Sequence, residues 1–222
     1  LNRIPSRVPL IGMIDGREGY WVAEGAPKPL TSFAFERTEL LPLKLASICG
    51  VTQELLEDSS PNADAVLRNG LAKALRRTAD VAFIDPSNSG TPGAKPAAIS
   101  NGITPIPATG TGDAADVRAD IRAAISAFVA ANNPLSSGVW IMRAATAVSL
   151  SMMYNALGVR EFPGIGMGGG LLEGMPVIVS EHVPGLSAGD YVVLVNADDV
   201  YYGDTGDVRV DTSEHASVEV SD

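Results

Sequence analysis

The chain has 222 residues, of which 45% are apolar and 19% are charged. It is long enough and apolar enough to bury a core, which excludes a chain that is disordered throughout. The net charge is -10, and in residues 173–222 Arg209 is the only lysine or arginine. An acidic surface repels phosphate groups and anionic lipid, so we expect neither sequence-specific nucleic-acid binding nor a membrane partner.

The single cysteine, Cys49, excludes a disulfide framework and a metal site built from several cysteines. Its apolar neighbours Ile48 and Val51 predict a buried, unreactive thiol. No apolar run approaches the roughly 18 residues that a membrane span requires, so we expect a soluble protein inside the cell that makes it. Because the first residue is Leu1, we also expect the chain to be a piece of a longer protein.

The first part of the chain predicts an arm followed by a long hairpin. Residues 1–19 are rich in proline and glycine and predict an extended arm with one short strand at 8–14. Two extended runs at 20–25 and 33–52 then flank a reversal at 25–29 that contains two prolines. This hairpin leads into a helical body.

Three aromatic side chains of the hairpin need a surface to cover them. Trp21, Phe33 and Phe35 lie on a ribbon that stands away from its own core and cannot bury them. Aromatic residues dominate contacts between proteins, so we interpret Trp21 as an interface residue, with packing onto its own subunit as the alternative. The hairpin therefore indicates assembly before it indicates chemistry.

Residues 61–84 have the pattern of an amphipathic helix, roughly 35 Å long at about 1.5 Å per residue. Its basic side chains are Arg68, Lys73, Arg76 and Arg77. They lack the interleaved aromatic residues on which nucleic-acid bases stack. We therefore interpret them as a solvated face or as a salt-bridging surface between subunits.

Residues 85–113 are rich in proline and glycine, and a loop of this length is usually functional or mobile. Within this loop we expect short strands near 98–99 and 103–106.

The second half of the chain predicts helices packed on a central sheet, an α+β or α/β arrangement. Trp140 lies in a continuous apolar run and is predicted to be buried in the core. The predicted helices are 113–131 and 143–157, and the predicted strands are 138–142, 175–180, 191–196, 200–203, 208–211 and 217–220.

Three clusters suggest chemistry, but each lacks a required feature. The glycine cluster at 164–170 has no following helix and no lysine-serine or lysine-threonine pair, so we interpret it as a flexible loop. His182 and His215 could belong to a Ser-His-Asp relay, but the sequence contains no Gly-x-Ser-x-Gly motif to supply the serine. The spacing of the last cluster does not match the calcium loop and predicts solvated turns. This cluster consists of Asp198, Asp199, Asp204, Asp207 and Asp211. We predict no catalytic residue, no cofactor and no metal site, with a hydrolase and weak calcium binding as minor alternatives.

Several short motifs follow one another along nearly the whole chain. They are Trp21-Val22-Ala23-Glu24-Gly25, Ser32-Phe33 to Lys44-Leu45-Ala46, Val51-Thr52-Gln53-Glu54-Leu55-Leu56-Glu57-Asp58, Asp80-Val81-Ala82-Phe83-Ile84, Pro96-Ala97-Ala98-Ile99, Gly138-Val139-Trp140-Ile141-Met142, Leu172-Glu173-Gly174-Met175-Pro176-Val177 and Ala216-Ser217-Val218-Glu219-Val220. In this order and spacing the chain resembles the major capsid protein family of tailed bacteriophages, whose fold is shared by the encapsulin shell proteins.

The resemblance implies an α+β fold, with an extended loop, a peripheral domain with a long spine helix, and an axial domain whose central sheet is flanked by helices. The glycine cluster at 164–170 would then fall where family members place a variable axial-domain loop. The implied boundaries are an amino-terminal arm at 1–19, an extended hairpin loop at 20–50, a peripheral domain at 51–113 with the spine helix at 61–84, an axial domain at 114–203, and return strands toward the peripheral domain at 204–222.

The implied function is that of a structural subunit, not an enzyme, of an icosahedral phage or prophage capsid that encloses double-stranded DNA. The implied partners are identical subunits in pentamers and hexamers, with a scaffold, a portal and a maturation protease. The implied location is the virion, after the host cytoplasm. An encapsulin-like compartment shell is the alternative, and an enzyme that uses the acidic carboxy-terminal half is a third hypothesis. We expect assembly contacts from Trp21, Glu24, Phe33, Phe35, Arg37, Arg76 and Arg77.

The chain also departs from the family pattern. Family members usually continue beyond the last predicted strand, and many begin with a removable segment, so the resemblance implies a fragment that lacks both ends. Phe35-Glu36-Arg37 stands where some members carry a cross-linking lysine, so we predict no such cross-link. Ala98 stands where the family commonly has glycine.

Overall fold

The computed structural model describes residues 2–4, 9–15, 20–27, 34–50, 62–186 and 189–203. These residues belong to two compact units. The first lies within Leu1–Pro42 and Tyr201–Thr205, and the described residues of the second lie within Leu43–Val200. The predicted strands at 208–211 and 217–220 lie outside the described residues.

Both helices and strands occur in the described part of the chain. The helices are α1 (Asn62–Ile84), α2 (Ala114–Ala130) and α3 (Ala144–Ser151). The strands are β1 (Asn2–Arg3), β2 (Pro9–Asp15), β3 (Ala34–Glu39), β4 (Gly138–Met142), β5 (Ile165–Gly166), β6 (Gly169–Leu172), β7 (Met175–Val179), β8 (Gly185–Leu186), β9 (Gly189–Asp190), β10 (Val193–Asn196) and β11 (Tyr201–Tyr202). Among the helices described here, none has the length and apolar character needed to cross a bilayer.

In the first unit, β2 and β3 form an antiparallel ribbon with an irregularity between Met13 and Asp15. The predicted pairing was wrong for the first strand, which is β2 and not the run at 20–25. Residues 20–23 belong to no strand, and a turn closed by the Ala26 N–H on the Ala23 carbonyl (3.0 Å), with Gly25 at φ 83°, ends the run. β1 and β11 add a short parallel pair to the same unit.

The second unit contains a five-stranded sheet in the order β10-β4-β7-β6-β5. The pair β4 and β7 is parallel, and the other pairs are antiparallel. Burial alternates along β4, and Trp140 at 1% exposure confirms the predicted core position. Ile121 on α2 and Leu150 on α3 belong to the same hydrophobic cluster as Trp140, so both helices cover the sheet.

The end of α1 is held by a loop that folds back onto it. Pro86 has no N–H to donate to the Ala82 carbonyl, and the Asn88 side chain donates to that carbonyl instead (2.7 Å). The Phe83 carbonyl accepts from the Ile99 N–H (3.0 Å), and the Ile84 carbonyl accepts from the Ser100 hydroxyl (2.6 Å). The last carbonyls of the helix are therefore satisfied by the loop that follows it, from Asn88 to Ser100.

The strands predicted near 98–99 and 103–106 are absent, since no strand occurs between α1 and α2 in this fully described stretch. The N–H groups of Ala98 and Ile99 donate to the Asn88 and Phe83 carbonyls, and Pro105 and Pro107 have no N–H for a ladder. The first part of this loop is a fixed cap on α1 and not a mobile segment.

The predicted helix at 143–157 is shorter, because α3 ends at Ser151. The chain then reverses in a tight turn, in which the Glu161 N–H donates to the Met153 carbonyl (2.9 Å). Gly158 takes φ 73° in this turn, a conformation that a glycine adopts without strain.

The glycine cluster at 164–170 was wrongly interpreted as a flexible loop, because it forms the hairpin of β5 and β6. A Cβ atom on Gly164 would lie 2.5 Å from the Leu171 carbonyl oxygen, and Gly170 takes φ 143°. These glycines let neighbouring backbones approach closely at the edge of the sheet.

The prediction of a buried thiol was also wrong, since Cys49 is exposed. All residues from 41 to 50 are exposed and none belongs to a strand, so the segment gives Cys49 no apolar cover.

Candidate assembly surface

Trp21 is the most exposed of the large apolar residues in the described part of the chain, at 104%. Its neighbours Tyr20 and Val22 are exposed as well, and Glu24 lies in the exposed turn that follows. Trp21 therefore does not pack onto its own subunit, which was the alternative interpretation. A patch of this kind fits contact with another molecule.

The other predicted contacts of the ribbon are only partly described. Arg37 is exposed and stands opposite Ile11 in the β2–β3 pair. Phe35 stands opposite Met13 in the same pair. Phe33 lies outside the described residues.

In the second unit, Arg76 and Arg77 are both exposed on α1. Arg77 also lines a cleft of about 500 Å³, together with Arg143 and the segment from Glu181 to Gly185. The exposed positions agree with a solvated or salt-bridging face on this helix.

Two side chains that line this cleft, His182 and Arg143, each contact a carboxylate. His182 Nδ1 lies 2.8 Å from Asp80 Oδ2, which joins the turn after β7 to α1. Arg143 donates to Asp190 (3.0 Å), and the Thr146 hydroxyl donates to the other oxygen of that carboxylate (3.1 Å). These two hydrogen bonds connect β9 to the start of α3.

A Ser-His-Asp type of catalysis in this cleft lacks a hydroxyl or thiol nucleophile. The residues that line the cleft include no serine, threonine or cysteine. The hydroxyl of Ser180 accepts from the His182 backbone N–H (3.2 Å) and makes no recorded bond to the imidazole ring. His182 thus has an acidic partner but lacks the hydroxyl that a Ser-His-Asp relay requires. His215 lies outside the described residues.

One carboxylate near the end of α1 has a shifted pKa. The hydroxyl and the backbone N–H of Ser87 both donate to Asp85 (2.7 and 2.9 Å). These bonds favour the ionised form and lower the pKa of Asp85 below its ordinary value. The arrangement is a turn at the helix end and brings no second catalytic group.

The acidic cluster is likewise a turn where it is described. Asn196 donates to Asp199 Oδ2 (2.6 Å) and accepts from the Asp198 N–H (3.2 Å). Among the described residues there is no group of three or more metal-ligating side chains. Asp204, Asp207 and Asp211 lie outside the described part.

A second exposed apolar surface was missed in the sequence. Leu157 is 87% exposed and Val159 is 60% exposed, in the turn that follows α3. The sequence did carry a signal, because residues 144–159 contain no charged side chain. This surface was not predicted, because the same apolar run predicted a helix that continued to residue 157.

Comparison with known proteins identifies the family and the fold of this chain. The model of the phage capsid family matches residues 7–221. The capsid polyprotein of Pseudomonas phage PAJU2 is 55% identical over 220 residues, which cover 99% of this chain and 33% of that protein. The chain thus spans about a third of the length of this curated relative.

Solved structures show the same fold at lower sequence identity. The capsid of a native GTA particle, computed with C5 symmetry, has a TM-score of 0.65 and 21% identity, covering 94% of this chain and 75% of that chain. A structure from Gordonia phage Cozz has a TM-score of 0.59 and 17% identity, covering 88% of this chain and 66% of that chain. The predicted α+β capsid fold is confirmed, and the encapsulin alternative is not favoured. The chain belongs to the phage capsid family.

Proposed function

We propose that this chain is the shell-forming part of a phage or prophage capsid subunit. Identical copies, arranged in pentamers and hexamers, would close an icosahedral shell around double-stranded DNA. Family membership and the capsid polyprotein relative support this proposal. The net charge of -10 fits a container that encloses DNA without adhering to it.

The observation that carries the proposal is the exposure of Trp21. A tryptophan buries on the order of 200 Å² when it is covered, and at about 25 cal/mol per Å² this is up to ~5 kcal/mol per contact. In the isolated chain none of this stabilisation is realised, because Trp21 is 104% exposed. A neighbouring copy that covers it gains most of that free energy.

The remaining proposed contacts lie on the hairpin region that contains Trp21 and on α1. The ribbon would contribute Glu24, Phe33, Phe35 and Arg37, and α1 would contribute Arg76 and Arg77. Exposed arginines on a subunit of net charge -10 can pair with carboxylates of a neighbouring copy. Shell closure makes many such modest contacts cooperative.

We assign the domains by the same analogy. The amino-terminal arm covers 1–19 and contributes β2 as the partner of β3, and the extended loop covers 20–50. The peripheral domain covers 51–113 with α1 as its spine, and the axial domain covers 114–203 with the five-stranded sheet. We assign residues 204–222 to the peripheral domain as well. A scaffold, a portal and a maturation protease are the further partners, and the subunit passes from the host cytoplasm into the virion.

The test is particle formation by the full-length gene product expressed with its upstream neighbours, observed by electron microscopy. We expect closed shells for the unchanged protein and a large loss of shells for Trp21→Ala. The melting temperature of the Trp21→Ala subunit should stay within about 2 °C of the unchanged subunit, since an exposed side chain contributes little to folding.

A matched control is Val66→Ala, which shortens another exposed apolar side chain, on α1. We expect this variant to form shells. If Trp21→Ala lowered the melting temperature of the subunit as much as it lowered shell yield, the interface role of Trp21 would be wrong. If the unchanged protein formed no particles under any condition, the shell function itself would be refuted.

A further inference from the structure

The turn that follows α3 presents a group of large apolar side chains to solvent. We call residues 152–160 the apolar turn. Its exposed members are Met152, Tyr154, Leu157 and Val159, of which Leu157 is 87% exposed. Four large apolar side chains in one short turn are an unusual surface for a protein that stays alone.

The apolar turn is rigid, so the exposure is not a sign of looseness. Asn155 is its centre: the side-chain oxygen accepts from the N–H groups of Leu157 (3.0 Å) and Val159 (3.1 Å). The Asn155 N–H also donates to the Val159 carbonyl, and the Gly158 N–H donates to the Asn155 carbonyl (both 2.9 Å). A surface fixed in advance loses little conformational entropy when it binds.

Both ends of the apolar turn are anchored in the hydrophobic core. Met153 packs against the core cluster, and Phe162, just after the turn, is a buried member of it. The Glu161 N–H closes the base on the Met153 carbonyl (2.9 Å). The position of Leu157 is therefore set by the sheet and its helices.

The charge of the surrounding segment indicates which partner the turn accepts. In residues 144–172 the only charged side chains are Arg160 and Glu161. Glu161 is largely buried and paired with Arg118. The whole protein carries -10, so two identical copies repel each other over most of their surface. Arg160 is exposed, but this segment has no exposed carboxylate, so a second copy can approach here without the repulsion between carboxylates.

The small size of the surface favours a ring of copies over a one-to-one complex. Four partly exposed side chains offer a few hundred Å² at most, well below the roughly 800 Å² per partner of a stable pairwise complex. A patch this small is insufficient for a lasting one-to-one complex. In a closed ring each copy makes the contact twice and closure adds cooperativity, so the same patch is sufficient.

We propose that the apolar turn is a contact between neighbouring identical copies around a closed ring, with Leu157 and Val159 at its centre. This inference rests on the proposed shell function and adds a second contact surface, separate from Trp21. Its partner is a second copy of this chain, and the contact is made by apolar burial rather than by ion pairs.

The first test places a charge in the contact. Leu157→Glu in the full-length protein should raise the concentration needed for shell assembly at least tenfold, measured by sedimentation and electron microscopy. Ile103→Glu is the matched control, because Ile103 is also an exposed apolar residue in the second unit. We expect it to assemble like the unchanged protein. Equal assembly of Leu157→Glu and the unchanged protein overturns the inference while the shell function stands, and an equal loss in both variants also counts against it.

The second test detects the contact directly and does not depend on assembly being impaired. Leu157→Cys is made together with Cys49→Ser, because Cys49 is exposed and would react as well. Position 157 then carries the one cysteine of this chain, so a short bis-maleimide should join assembled copies in pairs, as covalent dimers. Ile103→Cys in the same background should remain monomeric. Assembled particles that give only monomers from Leu157→Cys would refute the ring contact, and thermal unfolding of each variant shows that it is folded.

Discussion

Asn88→Ala tests how the loop after α1 holds the end of that helix. Asn88 is 7% exposed. Its side chain donates to the Ala82 carbonyl (2.7 Å) and the Pro96 carbonyl (2.9 Å) and accepts from the Gly90 N–H (3.2 Å). Alanine removes all these bonds and leaves the Ala82 carbonyl without a donor, because Pro86 has no N–H.

The expected cost follows from those bonds. A hydrogen bond contributes about 1 kcal/mol net, so the loss of these bonds should lower the free energy of unfolding by about 3 kcal/mol. Urea unfolding measures this change, with the fluorescence of the buried Trp140 as the probe of the core. Ser89→Ala, at the exposed neighbouring position, is the control and should stay within about 0.5 kcal/mol.

Asn88→Asp separates the donors from the acceptor. Aspartate has nearly the same size and can still accept from the Gly90 N–H, but it cannot donate to the two carbonyls. We expect it to be at least as destabilising as Asn88→Ala. A loss below about 1 kcal/mol for both variants would refute the view that this loop stabilises the helix end through Asn88.

Two further predictions concern local geometry. Gly170→Ala should lower the free energy of unfolding by at least about 2 kcal/mol, because Gly170 takes φ 143° and an added Cβ would collide with backbone. Gly168→Ala is the control, since its Cβ would meet open space, and it should be nearly neutral. Equal effects of the two substitutions would contradict the reasoning. Ser87→Ala should raise the pKa of Asp85, followed by NMR titration, because it removes the hydroxyl that helps lower it. Since that pKa is lowered in the folded state, the carboxylate stabilises the fold above its unfolded pKa, and this contribution is lost as the pH falls through the folded pKa. An unchanged pKa in the variant would assign the shift to the backbone N–H alone.

The sequence predicted best the elements with a strong period. The helical stripe at 61–84 corresponds to α1, and the apolar run around Trp140 corresponds to β4. In both, local spacing and burial agree, so neighbouring residues suffice to identify the element. The exposure of Trp21 also agrees with its interpretation as an interface residue.

The errors arose where distant residues decide the local structure. The partner of β3 was misplaced because pairing between strands depends on contacts that a run of residues does not reveal. The glycine cluster looked like a loop because its need for glycine comes from the backbone of β6 and β7, which approaches it in space. The apolar turn was read as helix because an uninterrupted apolar run fits either structure.

The two exposed apolar surfaces, at Trp21 and in the apolar turn, differ from the loop after α1 in whether their side chains have partners inside the chain. In the loop after α1, the side chains of Ser100 and Asn88 donate hydrogen bonds to backbone carbonyls of the same chain. Leu157 lies instead on a turn whose backbone is fixed, and Trp21 lies just before a turn; neither side chain is covered. At physiological salt, exposed charges interact over only about 8 Å, so copies repel each other only where their carboxylates come close together. We therefore expect the net charge to disfavour contacts between acidic faces, and the two exposed apolar surfaces to favour the contacts proposed above. If both contacts exist, assembly should depend steeply on concentration, because many small contacts must form together.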